Sequence, residues 1–237
     1  MQPNTKGVNK SAELLNTPTT MEAQNMGENR LGINERRFLE VYRRFYGEDY
    51  PPSVTNNQNA HVKGQKAVYL LMQKHVHVGD YGFVWQEYGP CSDRLQDIMR
   101  KLDGMPNEVE TFYHEFSAET EGEAQLYSDE SNPNRIFWTR EKEQIDTIKS
   151  SLRLHNDDGS LDQNGDTPLR RWMELLGSLT YISVVRLPGA DESRVWEELI
   201  KAKSKAKYLA VSDKERETAF DVLRRAGLLL CRSTISS

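Results

Sequence analysis

Two histidines near the middle of the chain are the first candidates for chemistry. His75 and His77 are separated by one residue, so an extended backbone places both imidazoles on one side. Asp80 follows closely. Imidazole and carboxylate groups are common metal ligands, but a site needs a further ligand and the other histidines are scattered. Histidines at the surface near a helix end are the favoured interpretation, because a cation there suits the helix dipole. Neither a metal nor another cofactor is predicted.

Cys91 is the only candidate nucleophile beside a predicted helix. An exposed thiol at a helix N-terminus becomes reactive, but no base is identifiable next to it, so a small buried thiol is the favoured interpretation. The other cysteine, Cys231, is far away and forms no C-x-x-C pair, which favours a reducing, cytoplasmic compartment. The phosphate-loop, nucleophile-elbow, zincin and dinucleotide motifs are missing from the sequence. No catalytic residue is predicted, and the chain is not expected to be an enzyme.

Charged segments offer further candidates. The segment Asp157–Asp166 resembles a calcium loop in composition, but counting from Asp162 places Thr167 and Met173 where Gly and Glu are required, so a solvated loop is predicted. Lys201 and Lys205 share one face of a predicted helix end, with phosphate contact as the alternative interpretation.

The segment 102–134 has nine acidic residues and no Lys or Arg. This charge would repel nucleic acid. Two interpretations remain open: a solvated loop or hairpin, and a docking surface for a basic partner. The candidate contact residues of that surface are Glu119, Glu121 and Glu123.

The elements that would position these residues are mostly helices. Apolar periodicity and capping residues predict a mainly α fold with about seven helices and a small antiparallel β element. Residues 1–30 show no apolar period and are predicted to be disordered. Residues 31–237 are predicted to form one domain, with an acidic loop or hairpin inserted at about 103–134. No apolar run is long enough to cross a membrane.

In the first half, a helix is predicted from Asn34 to Gly47 and another from Lys63 to Lys74. A short strand over Tyr81–Gln86 is predicted to be broken by Gly89-Pro90, and Ser92 to cap a third helix. The acidic segment is predicted to hold strands at Thr111–Phe116 and Arg135–Trp138.

In the second half, helices are predicted from Thr139 to Leu152, from Pro168 onwards, and from Asp191 or Ser193. Ser212 and Glu215 form the S-x-x-E pattern of a capping box, which predicts a last helix that ends near Gly227.

The residues Tyr69-Leu70-Leu71, Tyr81-Gly82-Phe83-Val84-Trp85 and Tyr88-Gly89-Pro90-Cys91-Ser92 form a pattern that resembles bacterial YwgA-like proteins and the related Panacea domain of SocA-like antitoxins. Cys91 stands where Tyr or Val is usual. Segment 168–232 resembles the helical tail of the YwgA-like group more loosely. The resemblance implies a mostly helical bacterial protein from the toxin–antitoxin, phage-defence and mobile-element neighbourhood. It implies a toxin as binding partner and offers no active site to transfer.

The aromatic segment Tyr81–Tyr88, here called the crossing, has two interpretations that remain open. Its side chains pack the turn against the second helix, or they form an exposed surface that a partner covers. The candidate partner-binding residues are Tyr81, Phe83, Trp85 and Tyr88. A protein-binding module that acts without catalysis, with a co-encoded toxin or defence component as partner, is therefore predicted. The alternative is a DNA-binding regulator with a winged-helix-like core. Its contact residues would be Arg94, Arg100, Lys101, Lys201 and Lys205.

Overall fold

A computed structural model describes residues 31–51, 58–122, 139–152, 166–202 and 211–230. These residues form eight α-helices and one two-stranded antiparallel sheet, so the predicted mainly α class with a small β element is confirmed. The predicted disorder of residues 1–30 and the predicted strand at residues 135–138 lie outside the described residues, as does nearly all of the 157–166 loop.

The first four helices are α1 (Ile33–Tyr46), α2 (Gln58–Gln73), α3 (Asp93–Asp103) and α4 (Pro106–Gly122). The last four are α5 (Thr139–Ser151), α6 (Asp166–Tyr181), α7 (Glu192–Lys201) and α8 (Asp213–Arg225). A π-helical turn, Ile182–Arg186, continues α6. The strands β1 (Val84–Gln86) and β2 (Gly89–Cys91) form a hairpin between α2 and α3.

Helix ends follow the predicted capping residues closely. The Ser92 hydroxyl accepts a hydrogen bond of 3.3 Å from the Leu95 N–H and so caps α3. Ser212 and Glu215 form the complete capping box of α8. Gly47 ends α1 in the left-handed region, with φ of 70°. These predictions succeed because a cap depends on residues within about one helical turn of each other.

The strand predicted at Thr111–Phe116 is wrong, because these residues lie in α4. Val109, Phe112 and Tyr113 are buried at i, i+3 and i+4, which is the spacing of one helix face. The described part of the acidic segment, up to Gly122, therefore forms a helix in place of the predicted loop or hairpin. Residues 123–134 of that segment lie outside the described residues.

The crossing before α3 is a hairpin, and Gly89-Pro90 does not end it. Gly89 to Cys91 form β2, with Trp85 opposite Pro90 and Val84 opposite Cys91. A two-stranded sheet has edges on both sides, so the missing N–H of proline is tolerated there. Helix α2 also begins at Gln58, earlier than the predicted Lys63.

Helices α2 and α6 form the centre of the core. Every residue from Val62 to Leu71 in α2 is buried, and so is every residue from Met173 to Thr180 in α6. Glycine permits close approach of the neighbouring helices: a Cβ built on Gly64 would lie 2.7 Å from the Met99 side chain and 2.8 Å from Phe38. The sheet packs on this centre through β2, which contacts both α2 and α6.

Glu40 is a carboxylate of α1 that is buried between α1 and α5. Its Oε1 atom accepts a hydrogen bond of 3.2 Å from Arg44 Nε and lies 3.6 Å from Lys142 Nζ. Burial raises the pKa of Glu40 above its usual value of 4.5, against the smaller opposing effects of Lys142 and Arg44.

This raised pKa predicts a pH dependence of stability. The folded protein holds the Glu40 proton more tightly than the unfolded chain, so protonation contributes stability at low pH that is lost as pH rises through the folded pKa. We expect the unfolding free energy of the wild type, minus that of Glu40→Gln, to fall as pH rises from about 4 towards 7. Urea unfolding at several pH values measures this difference. A difference that rises or stays constant would contradict the assignment.

Candidate functional site

Two polar side chains of α2 hold the second strand of the hairpin. Gln65 makes two hydrogen bonds with the backbone of Ser92: its Oε1 accepts from the N–H and its Nε2 donates to the carbonyl, both at 2.9 Å. Lys66 Nζ donates to the carbonyl of Pro90 at 2.6 Å. Gln65 and Lys66 are both buried. The segment that resembles the Gly-Pro step of the YwgA-like pattern is therefore fixed by side chains of α2.

The other side of the strand lies against α6. Gly89 has φ of 85°, and a Cβ there would lie 2.5 Å from Ser178 Oγ. Gly177 approaches the aliphatic part of Lys66 and the ring of Pro90 in the same way. The hairpin thus packs on two core helices, and at Gly89 a side chain would collide with Ser178.

The first strand and the residue before it carry an aromatic cluster that joins the hairpin to α2 and α6. The Tyr69 and Phe83 ring centroids are 5.1 Å apart, and those of Trp85 and Tyr181 are 5.5 Å apart. Tyr69 and Tyr181 complete the cluster at 6.1 Å. These distances are typical of favourable aromatic pairs.

Arg186, at the end of the π-helical turn, covers the outer face of this cluster. Its guanidinium carbon lies 4.6 Å from the centroid of Trp85, and its Nη1 donates to Glu198 Oε1 at 3.2 Å. A cation stacked on an indole and anchored by a carboxylate is held in one orientation. Arg186 thereby fixes the indole from the solvent side.

Two exposed valines precede the members of this stack in the chain. Val84 is 53% exposed and Val185 is 54% exposed, and each is the chain neighbour of one member of the Trp85–Arg186 pair. We call the four residues Val84, Trp85, Val185 and Arg186 the crossing surface. Single exposed apolar residues are normal on a protein surface, and what distinguishes these two valines is that each adjoins a member of the stack in the chain.

The predicted partner-binding residues differ in their placement. Trp85 and Phe83 are half-buried, and Tyr88 is half-buried with its hydroxyl oxygen 2.7 Å from the Gln58 amide nitrogen that donates to it. Tyr81 is only 6% exposed and packs against Gly79, so it belongs to the interior. Residues 119 and 121 lie in the last turns of α4, and residue 123 lies outside the described residues.

The residues predicted for the nucleic-acid alternative are paired with carboxylates. Arg94 lies 3.1 Å from Asp80 and Arg100 lies 2.7 Å from Asp97. Lys101 lies 2.8 Å from Glu35, and Lys201 lies 3.8 Å from Glu197. Lys205 lies outside the described residues. A phosphate backbone would have to replace these carboxylate partners.

The candidates for chemistry do not converge. His75 and His77 are exposed, and Asp80 is paired with Arg94. Burial raises the pKa of the half-buried Cys91 thiol, with smaller contributions from Lys66, which lowers it, and Asp93, which raises it. Among the described residues, no group of three or more His, Cys, Asp or Glu side chains is arranged to hold a metal ion.

Gln65, Lys66 and Arg186 organise the site, but no sequence pattern indicated any of them. Polar residues on a helix normally indicate a solvent face, whereas Gln65 and Lys66 are buried because backbone groups of Pro90 and Ser92 form hydrogen bonds with them. Arg186 is distant from Trp85 in the chain, so no local spacing links them. Only Trp85 itself was predictable, as part of an aromatic alternation.

Within the ranges that the structure describes, no helix is both long and apolar enough to cross a bilayer. Comparison with family models, curated proteins and solved structures gives no match. The resemblance to YwgA-like and Panacea-domain proteins therefore stays a prediction that depends on the crossing residues and, more loosely, on segment 168–232.

Proposed function

We propose that this chain is a protein-binding module, of the antitoxin-like or defence-associated type, that acts by contact without catalysis. The crossing surface is the proposed contact site, and a co-encoded toxin or defence component in the cytoplasm is the proposed partner. One observation carries the proposal: the Trp85–Arg186 stack adjoins two valines in the chain that are each more than half exposed.

The rigidity of this surface supports a binding role. Gln65 and Lys66 anchor the hairpin by hydrogen bonds to its backbone end. Tyr181 and Arg186 pack on the Trp85 indole. A surface that is already ordered loses little conformational entropy when a partner covers it. Aromatic and arginine residues also carry much of the binding energy in protein interfaces.

A DNA-binding regulator is the second candidate. The hairpin next to α3 is the feature that favours it, because a winged-helix-like core also joins a small sheet to helices. Its predicted contact residues Arg94, Arg100 and Lys101 each pair with a carboxylate, which favours the protein partner. Gel shifts at two salt concentrations separate the candidates, since true phosphate contacts give a steep dependence on salt.

The test is capture of the co-encoded partner by variants of the crossing surface. We expect Val84→Asp and Val185→Asp each to weaken binding by about 10-fold or more, because each buries an unpaired charge in an apolar contact. Co-purification from the cells that naturally express the chain, followed by mass spectrometry, identifies the partner, and calorimetry measures its affinity.

Leu230→Asp is the matched control, because Leu230 is 56% exposed and lies away from the hairpin in the sequence. Circular dichroism must show unchanged helicity in all three variants. Equal affinity of both valine variants and the wild type for a stoichiometric partner would remove the crossing surface as the contact site. Recovery of no stoichiometric protein would count against the binding role itself.

A further inference from the structure

An open groove lies between the end of α1 and the first turns of α4. It has a volume of about 580 Å³. Tyr50, Pro51, Pro106, Val109 and Tyr113 give it an apolar wall, and the polar side chains along it are Asp49, Glu110 and His114. The side chains of Asp49 and Glu110 are 53% and 74% exposed. The groove thus combines an apolar wall with carboxylates that face solvent.

The charge on the α4 side of this groove is negative, whereas the α1 side carries the Arg43–Asp49 pair. Helix α4 has five acidic residues and neither Lys nor Arg over Pro106–Gly122. A cleft lined by one sign of charge concentrates ligands of the opposite sign.

The chain already holds one guanidinium at the wall of the groove. Arg43 Nε lies 3.3 Å from Asp49 Oδ1, and its guanidinium carbon lies 5.3 Å from the centroid of Tyr113. Its Nη1 also donates to the Tyr113 carbonyl at 3.4 Å. Carboxylate, aromatic face and carbonyl together are the groups that recognise arginine. Arg43 already occupies these three groups, and Glu110 is the other exposed carboxylate among the residues that line the groove.

We propose that the groove receives a basic segment of the partner protein, with an arginine or lysine at Glu110 and its aliphatic stem on the apolar wall. This inference rests on the proposed function, because it assumes a protein partner. It adds a second contact region, and the carboxylates of that region predict a basic segment in the partner. Long basic side chains suit the site because their stems cover apolar surface while the charged ends reach carboxylates.

The probe is a fluorescein-labelled synthetic peptide that alternates arginine with leucine, titrated with the full chain and followed by fluorescence anisotropy. A peptide that alternates glutamate with leucine is the charge control. We expect only the basic peptide to bind. Glu110→Lys is expected to weaken its binding by about 10-fold or more, because a like charge then faces the incoming cation.

Glu217→Lys on α8 is the matched control, because it changes the net charge equally at an exposed position of a helix that packs on α5 and α6. It is expected to weaken binding by less than about threefold. If the two lysine variants weaken peptide binding equally, the peptide is attracted by the net acidic charge of the protein and not by the groove. That result would overturn the inference. Failure of the basic peptide to bind the wild type would overturn it too.

The crossing-surface variants separate this inference from the proposed function. Val84→Asp and Val185→Asp are expected to leave the affinity for the basic peptide unchanged. If they abolish capture of the partner while Glu110→Lys affects neither the peptide nor the partner, the groove proposal fails and the protein-binding function stands. If no protein partner is captured but the groove still binds the basic peptide in a Glu110-dependent way, the proposed function fails and the groove remains a site for basic segments.

Discussion

Replacing Gln65 by leucine is expected to lower the free energy of unfolding by about 2–6 kcal/mol. Two buried backbone groups each lose their hydrogen-bond partner, and each unsatisfied group costs about 1–3 kcal/mol. Leucine resembles glutamine in size, so the change removes the amide with little loss of volume. The Ser92 N–H and carbonyl, both 2.9 Å from the Gln65 amide, are the groups that lose their partner. Urea unfolding followed by circular dichroism measures the change.

The effect should spread beyond the hydrogen bonds themselves. Ser92 is also the N-cap of α3, and its hydroxyl accepts from the Leu95 N–H. Loss of the Gln65 contacts therefore releases both the end of β2 and the start of α3. Gln73→Leu on the same helix is the control, because Gln73 is half-buried near the C-terminal end of α2. Equal loss of stability in the two variants would mean that the Ser92 contacts contribute little.

The second large effect is expected at Gly89. Alanine there must adopt φ of 85°, which costs about 1–2 kcal/mol for a residue with a side chain. Its Cβ must also avoid Ser178 Oγ, which would lie 2.5 Å away, and overpacking of a core costs about 1–3 kcal/mol more. We expect Gly89→Ala to lower the free energy of unfolding by about 2–5 kcal/mol, as measured by urea unfolding.

Two other glycines separate the backbone cost from the steric cost. Gly189 has φ of 79° and nothing within 4 Å of a built Cβ, so Gly189→Ala reports the backbone cost alone. Gly82 has open space around it and no positive φ, so Gly82→Ala reports neither cost.

Ser178→Ala tests the steric cost directly, because the next atom that the Gly89 Cβ would meet is 3.6 Å away. Ser178 Oγ is buried without a hydrogen-bond partner among the described residues, so its removal alone should cost little. We expect the double variant Gly89→Ala, Ser178→Ala to recover the steric part of the cost. Its loss in free energy of unfolding should then be no larger than that of Gly189→Ala. A double variant as unstable as Gly89→Ala alone would disprove the contact between β2 and α6 as the cause.

The sequence by itself determined the helical class and most helix ends. Ser92, Asp191 and the Ser212–Glu215 box mark the starts of α3, α7 and α8 as predicted. The apolar stripe of α1 is buried, as its spacing indicated, with Phe38 and Tyr42 in the core. Caps and stripes are readable because they depend on residues a few positions apart, where the helix geometry is fixed in advance.

The tertiary structure alone decided which residues form the crossing surface and what holds it. Trp85 meets Arg186 and Tyr181, Lys66 meets Pro90, and Gln65 meets Ser92, all across separate elements. Lys66 and Tyr81 are both buried, against what the polarity of Lys66 and the predicted role of Tyr81 suggested. A polar side chain is buried only where another segment supplies its partner, and that supply depends on how the helices pack. No local pattern contains this information, so the candidate site could be read only from the folded chain.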